Sequence, residues 1–408
     1  MFIEQSAARR RVVRMLFLLA AVLPCGVLAA AAWWRHSAAH VAGVGQDASA
    51  HLGLPVSVGA IVHPRPGVRR LSQVTVGGSA RGDALAVPEL EVETAAGEVR
   101  VRVPRLECSP EAARLLAGIA GEWLSRPARF PAAWVVDVGE VTWLPTSAVH
   151  GRAPVGWHLE CVAVDDSRAV RCRREPSSVD DVRVRSGPDG LVVEGDVREA
   201  IPVAILAAIV PGFSGWADAV GAQAVVRGSI DALSNADGWS GTIAGTIEHA
   251  ALDGVMAGGG GRAHGEATIT VTTLRFTAGR IVACDMLVSA SAGTLPQGLL
   301  EGLVGSLGCR PGPAYRSIAG DPVRRFDRLA CRIVFGDGVL SIRSAEGRGG
   351  SLISAQGLSL IDEPPDGVPA TRLAWFLSPG GGPAVPASPA SAWLMSVLPE
   401  SGGESGGF

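Results

Sequence analysis

The chain has 408 residues, a formal net charge of −3 and a positive mean hydropathy of +0.28. A mildly acidic chain is not typical of a nucleic-acid-binding protein, which concentrates positive charge on one face. All 36 basic residues are arginine, so the sequence excludes P-loops, pyridoxal Schiff bases and other sites that need a lysine.

The first part of the chain predicts a membrane anchor. Four arginines within 9–14 precede an apolar run over 15–34. About 20 apolar residues in a helix span a bilayer, and the arginine-rich flank predicts the side that stays in the cytoplasm. We therefore expect residues 1–36 to form a cytoplasmic stub and a single transmembrane helix. The alternative is a cleaved signal peptide, because 28–32 contains small residues that a signal peptidase accepts.

The region 37–361 is predicted to be mainly β. Segments such as 99–104, 170–173 and 182–185 alternate apolar residues with charged ones, which places the two kinds of side chain on opposite faces of a strand. Glycines before many of the segments favour meandering antiparallel hairpins. The remaining strands are predicted over 56–62, 70–76, 134–144, 157–164, 191–196, 222–230, 239–248, 266–276, 279–289, 329–335, 339–343 and 351–361.

Three short amphipathic helices are predicted among the strands. Ser109 is expected to cap a helix over 110–125 that has one apolar face, and further helices are expected over 201–210 and 296–307. One interpretation is that these helices cover the dry face of the sheet. The alternative is that one of them acts as a mobile gate at the mouth of an apolar groove.

The cysteines leave two possibilities open. Cys25 lies in the membrane run, and six others lie outside it. In an oxidising compartment six cysteines allow three disulfides, and Cys161 with Cys172, which flank a predicted hairpin, is the favoured pair. The alternative is buried thiols that act as small hydrophobic residues. No Cys-x-x-Cys motif occurs, which argues against a zinc site or thioredoxin-like chemistry.

Catalytic patterns are missing from the linear sequence. The histidines are scattered and form no His-Glu-x-x-His motif. The serine within 212–215 does not have a glycine two residues away on both sides, as a nucleophile elbow requires, and the aspartate pairs at 165–166 and 180–181 lie at predicted turns. We therefore expect a protein that is not an enzyme, with no cofactor and no metal.

The composition changes after residue 361. Residues 362–408 are rich in proline, glycine and serine, and they are predicted to form a disordered tail. Two apolar islands, 373–377 and 393–398, are candidates for docking on the β domain or on a partner.

Two parts of the chain resemble AsmA-like envelope proteins. Near the N-terminus, the membrane helix is followed by a short helical segment, the sequence Leu-Gly-Leu-Pro-Val-Ser-Val-Gly at 52–59 and a second strand over 68–76. Near the C-terminus, 326–329, 336–342 and 350–360 resemble the family's closing hairpins. The matches cover a small part of the chain, and the strand-rich middle is compatible with them.

The resemblance implies the remaining expectations. The fold class is an elongated, curved antiparallel β-sheet, a groove or half-barrel, anchored in the inner membrane as a single-pass protein with its bulk in the periplasm. The function is lipid binding or transport between membranes for outer-membrane biogenesis. The partners are phospholipid acyl chains, the inner membrane and envelope proteins, and no nucleic acid. The candidate lipid-facing residues are Val99, Val101, Val103, Leu115, Ile119, Trp123, Ile269, Val271, Ile333 and Phe335.

Two other functions stay open. An anchored scaffold of an envelope assembly or secretion machine would have a closed, solid β core. A surface hydrolase would need a carboxylate or histidine cluster that only the fold assembles. Because the chain is shorter than the long AsmA-like proteins, we expect a shuttle, adaptor or partial bridge rather than a complete bridge across the periplasm.

Overall fold

The structure is a computed structural model that describes residues 7–77, 85–95, 97–126, 130, 133–144, 155–164, 167–175, 180–188, 190–209, 217, 219–255, 263–315, 323–347 and 349–376. Within these ranges one helical stretch, Arg11–Arg35, is long and apolar enough to cross a membrane. Its most apolar window has a mean hydropathy of 2.4 and is not buried against the rest of the protein. A membrane span and a signal sequence share this character.

The apolar helix contains a local irregularity. It consists of Ala7–Phe17 (α1), a π-helical turn over Leu18–Val22, and Leu23–Arg35 (α2). Pro24 lies in the first turn of α2 and has no backbone N–H for the carbonyl four residues earlier. The N–H of Leu23 donates to the carbonyl of Leu18, which is the five-residue spacing of a π-bulge. The predicted long apolar helix is confirmed, with this bulge at its proline.

A third helix, Ala38–Leu52 (α3), follows directly. The Ser37 hydroxyl accepts a hydrogen bond from the backbone N–H three residues later and so caps the helix. Gly53 ends it in the left-handed conformation, with φ at 69°. Val41 and Val44 pack against the first strands, which confirms the helical segment predicted before residue 53.

The strands among the described residues are β1 (Val56–Ser57), β2 (Ala60–Arg65), β3 (Val68–Val76), β4 (Leu85–Ala95), β5 (Glu98–Val103), β6 (Leu106–Cys108), β7 (Ala133–Trp143), β8 (Val155–Val164), β9 (Ser167–Glu175), β10 (Asp181–Gly187), β11 (Gly190–Pro202), β12 (Val225–Asn235), β13 (Gly238–Ala251), β14 (Glu266–Thr277), β15 (Arg280–Ala290), β16 (Gly293–Pro296), β17 (Arg310–Pro311), β18 (Val323–Phe326), β19 (Arg328–Gly336), β20 (Val339–Ser344), β21 (Ser351–Ala355), β22 (Leu358–Asp362) and β23 (Val368–Pro369).

One 21-stranded sheet contains all of these strands except β16 and β18, which pair with each other. From β7 to β15 each strand pairs antiparallel with the next one along the chain. The exception to antiparallel pairing lies earlier, where β7 runs parallel to β5 and β6. After β15 the sheet continues through β19, whose other edge is shared by β20 and β21. The sheet is curved and open rather than closed into a barrel, so the predicted fold class is confirmed.

The helices of the β domain pack on one face of this sheet. The crossover from β6 to β7 contains Pro110–Ser125 (α4), capped by Ser109 as predicted. The other two predicted helices are also present, as Val203–Ile209 (α5) and Gln297–Gly305 (α7). The structure adds the short helices Leu252–Val255 (α6) and Thr371–Phe376 (α8), and a 3₁₀ turn over Pro313–Tyr315.

The observed strands differ from the predicted ones at several positions. Residues 56–62 were expected to form one strand, but they are divided between β1 and β2. Residues 351–361 were expected to form one strand, but they form the hairpin β21–β22, because Gln356 and Gly357 adopt positive φ values of 52° and 75°. Strand β4 was not predicted, although Glu-Leu-Glu-Val-Glu at 89–93 alternates as a half-buried strand does.

The β domain extends past the boundary predicted after residue 361. Glu363 is buried, and its carboxylate accepts hydrogen bonds from the backbone N–H groups of Ser344 at 3.0 Å and Gly349 at 2.6 Å. Strand β23 and helix α8 follow, and Phe376 is buried in the C-terminal core. Residues 377–408, the rest of the predicted tail, lie outside the described residues.

The favoured disulfide is absent, since all seven cysteines are free thiols. In the β8–β9 pair Cys161 lies opposite Val170, and Cys172 lies opposite Leu159. The two thiols are therefore diagonal neighbours, with Cα atoms about 7–8 Å apart, which is beyond the reach of an unstrained disulfide. Burial raises the pKa of both thiols to about 12, so they are unreactive small hydrophobic groups.

Candidate functional site

The register of the strands aligns one apolar residue from each into a row across the sheet. Directly paired residues point to the same face of a sheet, so the members of such a row lie side by side. We call this set the central apolar row: Val92, Val101, Val136, Leu159, Cys172, Val182, Gly195, Ile230, Ile243, Leu274, Cys284, Phe335 and Leu340. The alternation predicted for single strands therefore becomes one continuous apolar face.

The opposite face carries a matching charged row, whose members are Arg70, Glu91, Arg102, Asp137, His158, Arg173, Asp181 and Asp196. Opposite charges alternate along much of it. Arg70 and Arg102 each lie 3.5 Å from the Glu91 carboxylate. Many of the strand arginines belong to this row and form solvent-exposed ion pairs across strands. Each such pair contributes about 0–1 kcal/mol to the stability of the fold.

His158 is the most constrained side chain of the charged row. Its Nδ1 lies 2.5 Å from the Asp137 carboxylate and its Nε2 lies 2.9 Å from the Glu160 carboxylate, which also pairs with Arg173 at 2.8 Å. Burial lowers the pKa of His158, but the hydrogen bonds to Glu160 and Asp137 outweigh burial and raise it overall. Both ring nitrogens are engaged by carboxylates, so the imidazole is held as part of an ion network rather than beside a nucleophile.

The structure brings together no metal site within the described ranges, where no group of three or more His, Cys, Asp or Glu side chains is arranged to hold an ion. The candidate functional surface of this protein is instead the apolar face of the sheet. Helices cover its two ends, whereas no helix within the described ranges covers its middle.

The N-terminal end of the apolar face is covered by helix α4. Ala112, Ala113 and Ile205 are buried in one core with the apolar side chains of β3 to β6. Trp123, near the end of α4, is buried in a smaller core that includes Val170 of β9. These contacts correspond to the predicted covering role of the helix.

Arg168 clamps the C-terminal end of α4 to the sheet. It lies on the apolar face of β9, and its guanidinium carbon is 4.5 Å from the centroid of the Trp123 ring. It also donates hydrogen bonds of 2.9 Å to the backbone carbonyls of Trp123 and Phe130. A cation that lies on an aromatic face and also bonds to a carbonyl in the last turn of a helix and to one in the segment after it makes a strong docking contact. No local sequence pattern pointed to it.

The C-terminal end of the apolar face is covered by α6, α7 and α8 and by the closing hairpins. Leu252, Leu299, Leu300 and Phe376 are buried there against Phe335 and its neighbours in the largest core. This part of the face is a packed interior.

The middle of the apolar face stays partly exposed. Val182, Gly195, Ile230, Ile243 and Leu274, which lie on β10 to β14, are each half-buried. We call these five residues the half-exposed strip. Trp239 lies on the same face at the hairpin edge and is 39% exposed.

Two glycines leave a depression in the apolar face beside the half-exposed strip. Gly228 and Gly245 are directly paired on β12 and β13 and lie next to the strip. A Cβ atom at Gly228 would lie 2.2 Å from the carbonyl oxygen of Ala244, and one at Gly245 would lie 2.4 Å from that of Arg227. No side chain fits at either position, so the apolar face has a depression there.

The ten predicted lipid-facing residues divide into two groups. Val103, Trp123, Ile269 and Phe335 are buried in the packed cores. The half-buried members are Val99, Val101, Leu115, Ile119, Val271 and Ile333. All of the strand members lie on the apolar face as expected, but the half-exposed strip was not among the candidates. The alternation of the strip was visible in the sequence, but the sequence did not show that no helix among the described residues covers it.

Comparisons of the chain with protein-family models, with curated proteins and with solved structures give no match. The AsmA-like resemblance therefore stays a prediction that depends on the short segments quoted above.

Proposed function

We propose that the protein is a non-enzymatic, membrane-anchored envelope protein of the AsmA-like kind. In this proposal it holds acyl chains of membrane lipids on the apolar face of its sheet and handles lipid between membranes. The observation that carries the proposal is the half-exposed strip, an apolar surface that runs across five strands of an open sheet.

The dimensions of the strip support an acyl chain as its occupant. Neighbouring strands lie about 4.8 Å apart, so the strip from Val182 to Leu274 is about 19 Å long. One leaflet of a bilayer has a hydrocarbon depth of about 15 Å, half of the usual core. The strip therefore offers enough length for one lipid tail.

The energetics also favour a lipid tail. Each CH₂ group that leaves water contributes about 0.8 kcal/mol, so eight of them on the strip contribute about 6 kcal/mol before the cost of ordering the chain. Such binding needs no polar partner, which fits a face built from valine, isoleucine, leucine and glycine.

The first experiment compares neighbouring positions on one strand of the full chain. A photo-crosslinking residue at Ile243 on the strip is expected to capture phospholipid in cell membranes. The same residue at Thr242, which is exposed on the charged face, is expected to capture none. Equal capture at the two positions, or capture at neither, would contradict lipid binding on this face.

A scaffold is the second candidate, because Val103, Trp123, Ile269 and Phe335 are buried in packed cores as a closed β structure requires. Under the scaffold function, neither Ile243 nor Thr242 captures lipid although the protein melts cooperatively. Crosslinks from the strip would then join it to another protein.

The proposed location is the inner membrane, with the β domain in the periplasm. The support is the arginine-rich flank before the apolar helix. A reporter that is active only outside the cytoplasm, fused after Ser37, is expected to be active, and the protein is expected to resist extraction by alkaline carbonate. Release with a new N-terminus near Ala32 would replace the anchor with a signal peptide.

A further inference from the structure

A cluster of basic side chains lies where the apolar helix meets the β domain. His40, in the first turn of α3, and His63, on β2, have ring centroids 5.4 Å apart. Arg35 and His36 at the end of α2 and Arg69 on β3 act on His63 from the other sides. We call these five residues the basic cluster.

The charges of the basic cluster are not compensated locally. Burial lowers the pKa of His63, and the positive charges of Arg35, His40, Arg69 and His36 lower it further. Within the described residues, Arg35 and Arg69 form no ion pair with a carboxylate. Glu93, which lies opposite Val68 in the β3–β4 pair, is paired with Arg65 at 3.1 Å.

Two geometric details indicate a site that lacks its partner. The Nε2 atom of His40 is buried and has no hydrogen-bond partner, and a buried polar atom without a partner is costly. His63 lies where the register of β2 and β3 shifts between Val62 and Arg65, and such bulges re-aim side chains. The N-terminus of α3, capped at Ser37, adds its positive dipole end beside His40.

The basic cluster lies at the end of the central apolar row, beside the apolar helix. Arg69 pairs directly with Val92, the first member of the row, so it lies on the same face at the end of that row. Helix α4 covers the neighbouring part of the row. The hydrocarbon that this positive group can meet is therefore that of the bilayer around the apolar helix, whose surface carries lipid phosphates.

We propose that the basic cluster binds the phosphate of a phospholipid headgroup at the membrane surface, where the apolar helix joins the β domain. This inference rests on the proposed lipid-binding function and adds a defined polar site to it. Arg69 and Arg35 supply permanent charge, His40 Nε2 supplies a hydrogen-bond donor, and His63 becomes cationic as the pH falls through its lowered pKa. Affinity for the headgroup therefore increases as the pH falls through that value.

The test uses the full chain in micelles of a neutral detergent. Binding is measured by thermophoresis with three probes: dioctanoyl phosphatidylglycerol, the uncharged dioctanoylglycerol, and sodium phosphate. Arg69→Gln is compared with Arg275→Gln, which removes the same charge from an exposed position on β14. His63→Gln is added for the pH dependence, and Arg69→Gln is the safer variant for folding because Arg69 is exposed.

Arg69→Gln is expected to weaken phosphatidylglycerol binding about tenfold, the effect of one charge-assisted hydrogen bond. It should leave dioctanoylglycerol binding unchanged, and Arg275→Gln should change neither. His63→Gln should abolish the gain in affinity on acidification. Unchanged phosphatidylglycerol binding in both cluster variants would overturn the headgroup site while leaving the proposed function intact. If sodium phosphate binds as tightly as phosphatidylglycerol, the basic cluster is a site for free phosphate rather than for a lipid headgroup. If the wild type binds neither phosphatidylglycerol nor dioctanoylglycerol, the proposed function itself is refuted.

Discussion

Replacing Arg168 by methionine tests whether a single contact holds helix α4 over the apolar face. Methionine keeps an apolar stem of similar length but removes the guanidinium that bonds to two backbone carbonyls and lies over Trp123. Hydrogen bonds from a charged group contribute about 1.5–3 kcal/mol each, and a partly desolvated cation–π contact contributes about 1–2 kcal/mol. Because one group makes all three contacts, we expect a combined loss of about 3–5 kcal/mol rather than the full sum.

The loss should appear first as local opening of α4. Hydrogen exchange in peptides that cover 115–125 is expected to accelerate at least about 100-fold, since each 1.4 kcal/mol is a factor of ten. Peptides from β13 and β14 should exchange as in the wild type. The matched control is Arg185→Met, which removes an exposed ion pair with Glu194 on the charged face and should cost less than about 1 kcal/mol. Unchanged exchange in α4, or an equal effect of the control, would refute the clamp.

Three further predictions concern stability and thiol chemistry. Leu115→Asp should destabilise the protein by several kcal/mol because it buries a carboxylate in the N-terminal core. Arg114→Asp, on the exposed side of α4, should change stability by about 0.5 kcal/mol. Equal melting temperatures of the two variants would mean that the buried face of α4 is assigned incorrectly. Burial raises the pKa of Glu363, but the backbone hydrogen bonds from Gly349 and Ser344 and the charges of Arg343 and Arg310 together lower it overall. The stabilisation by Glu363 is therefore present above the ordinary glutamate pKa and is lost as the pH falls through the lower folded value. In urea unfolding, the destabilisation by Glu363→Gln should be larger at pH 7 than at pH 3, and a constant difference would contradict this. Cys161 and Cys172 should react with a thiol reagent only after denaturation, and a disulfide-linked peptide containing both would contradict the observed register.

Some of the fold follows directly from local patterns. The period of two in 99–104 and 182–185 predicted which side chains share a face, and the serine cap before α4 predicted where that helix begins. Other elements left weak local signals. Glutamine rarely adopts a positive φ, so Gln356 gave no local signal for a turn, and the turn between β21 and β22 was missed.

The sequence by itself determined the long apolar helix, the mainly β character of the body and the segregation of arginine from valine on each strand. These properties depend on residues within one or two helical turns or strand repeats, so they need no knowledge of distant partners. Only the tertiary structure decided which residues of different strands lie side by side, because register joins positions that are far apart in the chain and a slip of one residue reverses every face. For the same reason, the half-exposed strip, the Arg168 clamp, the separation of Cys161 from Cys172 and the meeting of His40 with His63 became visible only once the sheet was assembled.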